Sequence, residues 1–280
     1  MIPNIKYRYF IPLLWMCLSC TPPAEQPIVS EPANPIPPQQ PDTPATKPLQ
    51  RSDSLHFNKI ILNDSVRKAL PKHYPDSVFR IICALNRIDP DKLHRADSLI
   101  LPSVKLPWMD FSPFPDTLEA LRDAPEYVVV SYRLQAFGAY KNGVLQRWGP
   151  VSMGKRSTPT PTGLFHTNWK SKRQISTENE DWILPWYFNI VNASGVSFHQ
   201  YELPGFPASH SCIRMRETDA RWLYDFAQQW TLDATGRKII KPGTPVYIFG
   251  RYPWGKGRPW FELLKNPRAN NLPADSLIAP

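Results

Sequence analysis

Apolar positions recur with two different periods along this chain, and the switch between them divides it. In the N-terminal part the spacing is helical. Ile60, Ile61, Val66, Ala69 and Leu70 share one stripe, and Val78, Ile81, Ile82 and Leu85 follow i, i+3, i+4, i+7 on a second. From Tyr127 the run Tyr127-Val128-Val129-Val130-Ser131-Tyr132 is β-branched and aromatic, which predicts a strand. Ala136 to Lys141 and Val144 to Ser152 flank Asn142-Gly143, a dipeptide suited to the positive φ of a tight hairpin turn. Gly163 to Trp169, Tyr187 to Val191, Val196 to His199 and Thr244 to Gly250 supply further strands. One helix is expected among them: Ala220, Leu223, Ala227 and Trp230 make an apolar face across 218–230, with Thr218 or Asp219 as its cap. After residue 250, Trp260-Phe261-Glu262-Leu263-Leu264 reads as a short docked helix, and the last residues read as disordered.

The polar and proline-rich stretches set the remaining boundaries. Residues 21–50 contain ten prolines and no glycine, so they have no means of building a core and read as an extended tether. Before them, Lys6 and Arg8 precede an apolar stretch, Tyr9 to Leu18, that is too short to span a bilayer and has the form of an export signal. It ends at Leu18-Ser19-Cys20, which resembles a bacterial lipobox, with Cys17 in place of the usual leucine. The resemblance implies cleavage before Cys20 and a lipid on that cysteine. The expected organisation is a signal peptide (1–19), a Pro-rich linker (20–55), a small region (56–105), a connector (106–126), a β-rich domain (127–250) and a tail (251–280). Within the small region, Leu85-Asn86 and the closing Ser98-Leu99-Ile100-Leu101-Pro102 resemble the second half of a LysM module. A helical spacer fits the same residues, and both readings stay open.

Charge and cysteine content narrow the setting. The formal net charge is +9, yet no nucleic-acid motif accompanies it, so an anionic wall polymer or membrane surface is the better match. With Cys17 in the signal and Cys20 at its boundary, only Cys83 and Cys212 of the four cysteines remain, too few for a disulfide framework. Cys83 lies in an apolar run and reads as a core thiol; a Cys83–Cys212 disulfide would silence the second cysteine.

Cys212 is a different case. It lies in Ser209-His210-Ser211-Cys212-Ile213-Arg214-Met215, downstream of Phe198-His199-Gln200. Imidazole takes a thiol proton, and nearby positive charge lowers a thiol pKa, so this grouping suits a nucleophile. Upstream stand Gly154-Lys155 and Thr158-Pro159-Thr160-Pro161-Thr162-Gly163. In this order the segments resemble the L,D-transpeptidase (YkuD) catalytic domain over about residues 125–249. The resemblance implies a mainly β, sandwich-like fold with a helix just after the cysteine motif. It also implies an enzyme of peptidoglycan that needs no cofactor or metal. Cys212 would attack the third-residue carbonyl of a stem peptide, His199 would be the general base, and His210 would support the site. Arg214, Ser209 and Ser211 would contact substrate. Ser211 and Gln200 depart from glycines of the family pattern, and a serine before the nucleophile would be strained if its φ is positive.

Other readings stay open on the sequence alone. Water in place of an amine acceptor makes the same chemistry a carboxypeptidase or endopeptidase. A wall-binding protein without catalysis would keep the fold alone, and His199, His210 and Cys212 are also zinc-type ligands. The expected partners are stem peptides and, through Cys20, a membrane of the bacterial envelope. Nothing in the sequence sets an oligomeric state.

Overall fold

The computed structural model describes residues 55–176 and 178–279, all within one compact unit, Pro48–Pro280. The expected signal, the Pro-rich linker and Cys20 lie outside the described residues. No helix among the described residues is long and apolar enough to cross a membrane.

The first element is a strand, β1 (Phe57–Ile61), followed by helices α1 (Asp64–His73) and α2 (Asp76–Leu85) and a second strand, β2 (Ser98–Pro102). β1 and β2 pair antiparallel. Ile60 and Ile61 therefore belong to a strand and not to the first helical stripe. The helix begins only at Asn63, whose side chain accepts from the Val66 N–H at 2.9 Å. Leu70, Phe79, Ile82 and Cys83 pack with Leu93 and Leu99 into a small core. Burial pushes the Cys83 thiol up to about 12, so it stays protonated and inert. Both Cys83 and Cys212 are free.

The β-rich part is one nine-stranded sheet. Its strands are β3 (Tyr127–Ser131), β4 (Ala136–Lys141), β5 (Val144–Ser152), β6 (Gly163–His166), β7 (Lys170–Ile175), β8 (Ile183–Val191), β9 (Val196–Gln200), β10 (Ile213–Met215) and, after the helix α3 (Glu217–Phe226) and a small hairpin β11 (Thr231–Leu232) with β12 (Ile239–Lys241), β13 (Pro245–Phe249). The order is β6-β13-β3-β4-β5-β10-β9-β8-β7. The two edge strands, β6 and β7, are consecutive in the chain, so the sheet must curl until its edges approach. The link between them bonds across the gap: Thr167 N–H to Thr244 C=O at 3.0 Å and Asn168 N–H to Asn189 C=O at 2.7 Å. The sandwich-like expectation is met by a single sheet folded over.

Both faces of this sheet are covered. β3 is apolar without interruption because Val128 and Val130 face an inner core while Tyr127 and Val129 face an outer one. The inner core is closed by Ala220 and Leu223 of α3. That helix is shorter than its apolar pattern, since Ala227 is extended. Asp219 is not its cap: it is fully buried inside the first turn, held by Arg147 at 2.9 Å and Arg216 at 2.8 Å. The outer core is built by the connector and the tail. Trp108 and Trp148 stack at 4.1 Å, and each indole N–H donates to the other's carbonyl at 3.1 Å. Gly138 is required there, because a Cβ would stand 2.9 Å from the Phe114 ring. The tail forms a 3-10 turn, Pro259–Leu264, that buries Trp260, and Leu277 is also buried. The Ala279 N–H donates to the Tyr127 hydroxyl at 3.3 Å, so the expected disorder of the last residues gives way to a packed end.

Candidate active site

The site grows from the pairing of β9 with β10. These strands run parallel with Phe198 opposite Ile213 and His199 opposite Arg214. Successive side chains alternate between faces. Phe198, Ile213 and Met215 therefore enter the inner core, and Ser197, His199, Cys212 and Arg214 share the other face. Cys212, His199, His210, Arg214 and Ser209 line one small pocket of about 40 Å³ together with Trp182 and Tyr201.

The turn carrying Cys212 is held from beneath by the Gly154–Thr160 segment. The Ser209 N–H donates to Met153 C=O at 3.0 Å, and the Lys155 N–H donates to Ser209 C=O at 2.9 Å. The Thr160 hydroxyl accepts from the Gly154 N–H at 2.9 Å and donates to Ser211 C=O at 2.8 Å. Gly154 has no room for a side chain, since a Cβ would meet Thr158 O at 2.2 Å. The upstream Gly-Lys and Thr-Pro-Thr-Pro run is thus the cradle of the cysteine turn.

The sulfur meets Ser197. The hydroxyl of Ser197 lies 3.4 Å from Sγ, its N–H also bonds the sulfur, and the thiol faces Gly195 C=O at 3.7 Å. Burial pushes the Cys212 thiol up, outweighing Ser197 and the charge of Arg214, which pull it down. His199 is buried, and desolvation together with Arg214 lowers it to about 4 despite the Gln200 carbonyl. The resting pair is therefore a neutral thiol and a neutral imidazole, whereas sequence proximity alone suggested a preformed thiolate. His199 Nδ1 lies 2.9 Å from Gln200 C=O, so Nδ1 carries the hydrogen and Nε2 keeps its lone pair. Nε2 of His210 lies 3.0 Å from Lys155 Nζ, its Nδ1 is buried without a partner, and Trp182 packs on its ring at 5.1 Å.

Residues 125–248 match the L,D-transpeptidase catalytic domain (YkuD). Over this stretch the chain is similar to that family. The chain is 29% identical over 112 residues to L,D-transpeptidase 1 of Mycobacterium tuberculosis, covering 35% of this chain and 45% of that protein, so it spans about half the length of this curated relative. Among solved structures it is similar to an L,D-transpeptidase from Stackebrandtia nassauensis (22% identity, 46% of this chain and 57% of the other, TM-score 0.38). It is also similar to L,D-transpeptidase 1 of Mycobacterium tuberculosis (24% identity, 45% and 62%, TM-score 0.35).

Measured against the L,D-transpeptidase motif, five of the six expected residues converge on the pocket and Ser211 does not. Its hydroxyl turns to Thr158 C=O at 3.4 Å, away from the pocket. Ser209 lines the pocket, but its hydroxyl is spent on Cys212 C=O. One feature went unread in the sequence: Ser197 reaches the sulfur only through the β9–β10 register, which no local pattern reveals. Trp182 lines the pocket from the segment between β7 and β8. Lys170, Lys172 and Arg173 belong to β7, and Lys170 Nζ donates to Tyr224 C=O at 2.6 Å.

Ser211 has φ of +85°, the left-handed conformation expected of the glycine it replaces. A side chain there costs ~1–2 kcal/mol, against ~0.5–1 kcal/mol for ordering a glycine. Ser211→Gly should therefore stabilise the fold by about 0.5–1 kcal/mol, raising Tm by roughly 2 °C. Thermal unfolding monitored by circular dichroism checks this, and an unchanged or lower Tm would show that the Thr158 contact outweighs the strain.

Proposed function

We propose that this chain is a peptidoglycan L,D-transpeptidase of the bacterial envelope, exported and anchored by lipid on Cys20, and that it needs no cofactor or metal. The observation that carries the chemistry is the shared face of β9 and β10, where Cys212, His199 and Arg214 meet in one pocket. In this reading His199 Nε2 takes the thiol proton as Sγ attacks the third-residue carbonyl of a tetrapeptide stem. The imidazolium then gives that proton to the departing amine, D-alanine leaves, and a thioester remains on Cys212. An acceptor amine attacks the thioester and loses its proton to His199, which restores the thiol and leaves a 3→3 crosslink or an attached protein. Arg214 supplies the positive charge for a stem carboxylate, and His210, held by Lys155, supports the cysteine turn. The neutral resting pair favours this order, because proton transfer and attack coincide and no free thiolate waits to be oxidised. The segments 1–19, 20–55, 56–105, 106–126, 127–250 and 251–280 serve as signal, tether, accessory unit, connector, catalytic domain and tail.

The test is incubation of the whole chain with disaccharide-tetrapeptide, with products read by mass spectrometry. A dimer that has lost one D-alanine is the expected product. Tripeptide alone would replace the transpeptidase by a carboxypeptidase, and untouched tetrapeptide would turn the reading toward binding without catalysis.

A further inference from the structure

The loop from Tyr201 to Ala208 separates His199 from the cysteine turn. Its ends are fixed by the catalytic sheet: the Tyr201 N–H donates to Met215 C=O at 3.1 Å, and Ser209 follows Met153 as described. Its middle is held by another part of the molecule. Asp89, just after α2, accepts from the Leu203 N–H at 2.7 Å through Oδ2, and the Asp89 N–H donates back to Leu203 C=O at 2.8 Å. The Gly205 N–H donates to Arg87 C=O at 2.8 Å, and Ile88 bridges Pro204 in between. Three backbone groups of a buried loop thus find their partners in the β1–β2 segment (57–102), the N-terminal unit of the described residues, and buried backbone groups must be paired.

The turn that makes these bonds is itself stiff. The Asn86 amide donates to Ile82 and Ile100 carbonyls, each at 2.8 Å, and accepts from the Ile100 N–H at 2.9 Å, tying α2 to β2. Arg87 holds a left-handed φ of +55°, donates to Leu134 C=O at 3.0 Å and lies 4.9 Å over Trp260. A second contact runs directly toward the site. Lys92 pairs with Glu202 at 2.6 Å, Glu202 lies 4.0 Å from Arg214, and Arg214 sits 4.5 Å over the Tyr201 ring. Glu202 is shared between a lysine of the N-terminal unit and the arginine of the pocket.

We propose that the Asn86–Asp89 turn is a positioning element of the catalytic site, with Asp89 as its positioning residue, fixing the loop that places Tyr201 and Arg214 beside Cys212. The inference rests on Cys212 and His199 being the reacting pair. It assigns the N-terminal unit a part in catalysis that a freely hinged binding module would not have.

The experiment compares the whole wild-type chain with Asp89→Ala, Asp89→Asn and Leu70→Ala, the last a change in the core that Leu70 shares with Ile88, at a side chain without a hydrogen bond to the turn or the loop. Two readouts are taken: kcat and KM for D-alanine release, and the pH dependence of iodoacetamide alkylation of Cys212, followed on its tryptic peptide. Asp89→Ala should lower kcat by about ten-fold or more, as misplacement of a site does, with an altered alkylation profile. Asp89→Asn keeps an acceptor for Leu203 and should stay within about three-fold of wild type, and Leu70→Ala within about two-fold despite a lower Tm. Wild-type kcat and an unchanged alkylation profile in Asp89→Ala would overturn the proposal. So would activity losses in Leu70→Ala and Asp89→Ala that simply follow Tm. Should Asp89→Ala fail to fold, Lys92→Met carries the test: freeing Glu202 for Arg214 should slow alkylation at pH 8 by about two-fold, and an unchanged rate overturns the proposal. If wild type releases no D-alanine, the proposed function fails by itself, and the alkylation arm still decides the positioning.

Discussion

Replacing Cys212 with alanine is expected to abolish D-alanine release and any covalent acyl adduct, a loss of at least ~10⁴-fold, as removal of a nucleophile gives elsewhere. Ser209, the serine of the motif that lines the pocket, does not stand in for the sulfur, because its hydroxyl donates to Cys212 C=O. His199→Gln should leave the thiol in place and cost ~10²–10⁴-fold, the range for a lost general base. The two variants separate by pH. In wild type the base is available above the pH at which His199 protonates, about 4, so D-alanine release should hold up well into mildly acid solution. Alkylation of Cys212 by a small reagent should rise only at alkaline pH, because burial keeps the thiol above its ordinary value. Arg214→Met removes a positive charge that stabilises the thiolate and disfavours the imidazolium. Both groups should then titrate higher: the acid limb of activity moves up in pH, and so does the alkylation curve. Kinetics of tetrapeptide turnover and alkylation rates across pH check these outcomes. An acid limb near the ordinary histidine range in wild type would mean that His199 is more hydrated than its burial implies.

The parts legible in the sequence are those whose physics is local. Asn142 and Gly143 both adopt positive φ at the β4–β5 turn, as their pairing suggested. His199 and Cys212 were paired by the resemblance of their two segments to a family pattern, and both line one pocket. The parts that stayed hidden depend on distant neighbours. β1 was missed because Ile60 and Ile61 suit a helix stripe as well as a strand, and only β2, forty residues on, makes the strand. Ser197 looks like any polar strand residue until β10 lies beside it. Asp219 reads as a helix cap because Asp favours that position, yet Arg147 from β5 and Arg216 together hold it buried. The last residues read as disordered, and only the apolar outer face of the sheet gives Leu277 something to cover.

That outer face leads to the other large expected effect. The family match ends at residues 125 and 248, but a protein cut to those limits should not fold. Phe114, Leu118, Leu121, Trp260, Leu263 and Leu277 all lie outside the cut, and all pack into the core that covers Val129, Ala136, Tyr140 and Trp148. At ~1.5–3 kcal/mol for each buried apolar side chain, their removal costs on the order of 10 kcal/mol, comparable with the ~5–15 kcal/mol total stability of a domain. The cut also takes Trp108 from the reciprocal pair with Trp148, leaving the Trp148 indole N–H unpaired. It strips the Asp116 carbonyl that accepts from the Leu145 N–H at 2.9 Å, and Asp89 and Arg87 from the catalytic loop. The expected outcome for residues 125–248 expressed alone is an aggregating chain without a cooperative melt, while residues 48–280 melt cooperatively. Circular dichroism and gel filtration of the two fragments decide it. A soluble, cooperatively folded 125–248 fragment that still releases D-alanine would show that the outer core and the Asp89 turn are accessories to a catalytic domain able to stand by itself.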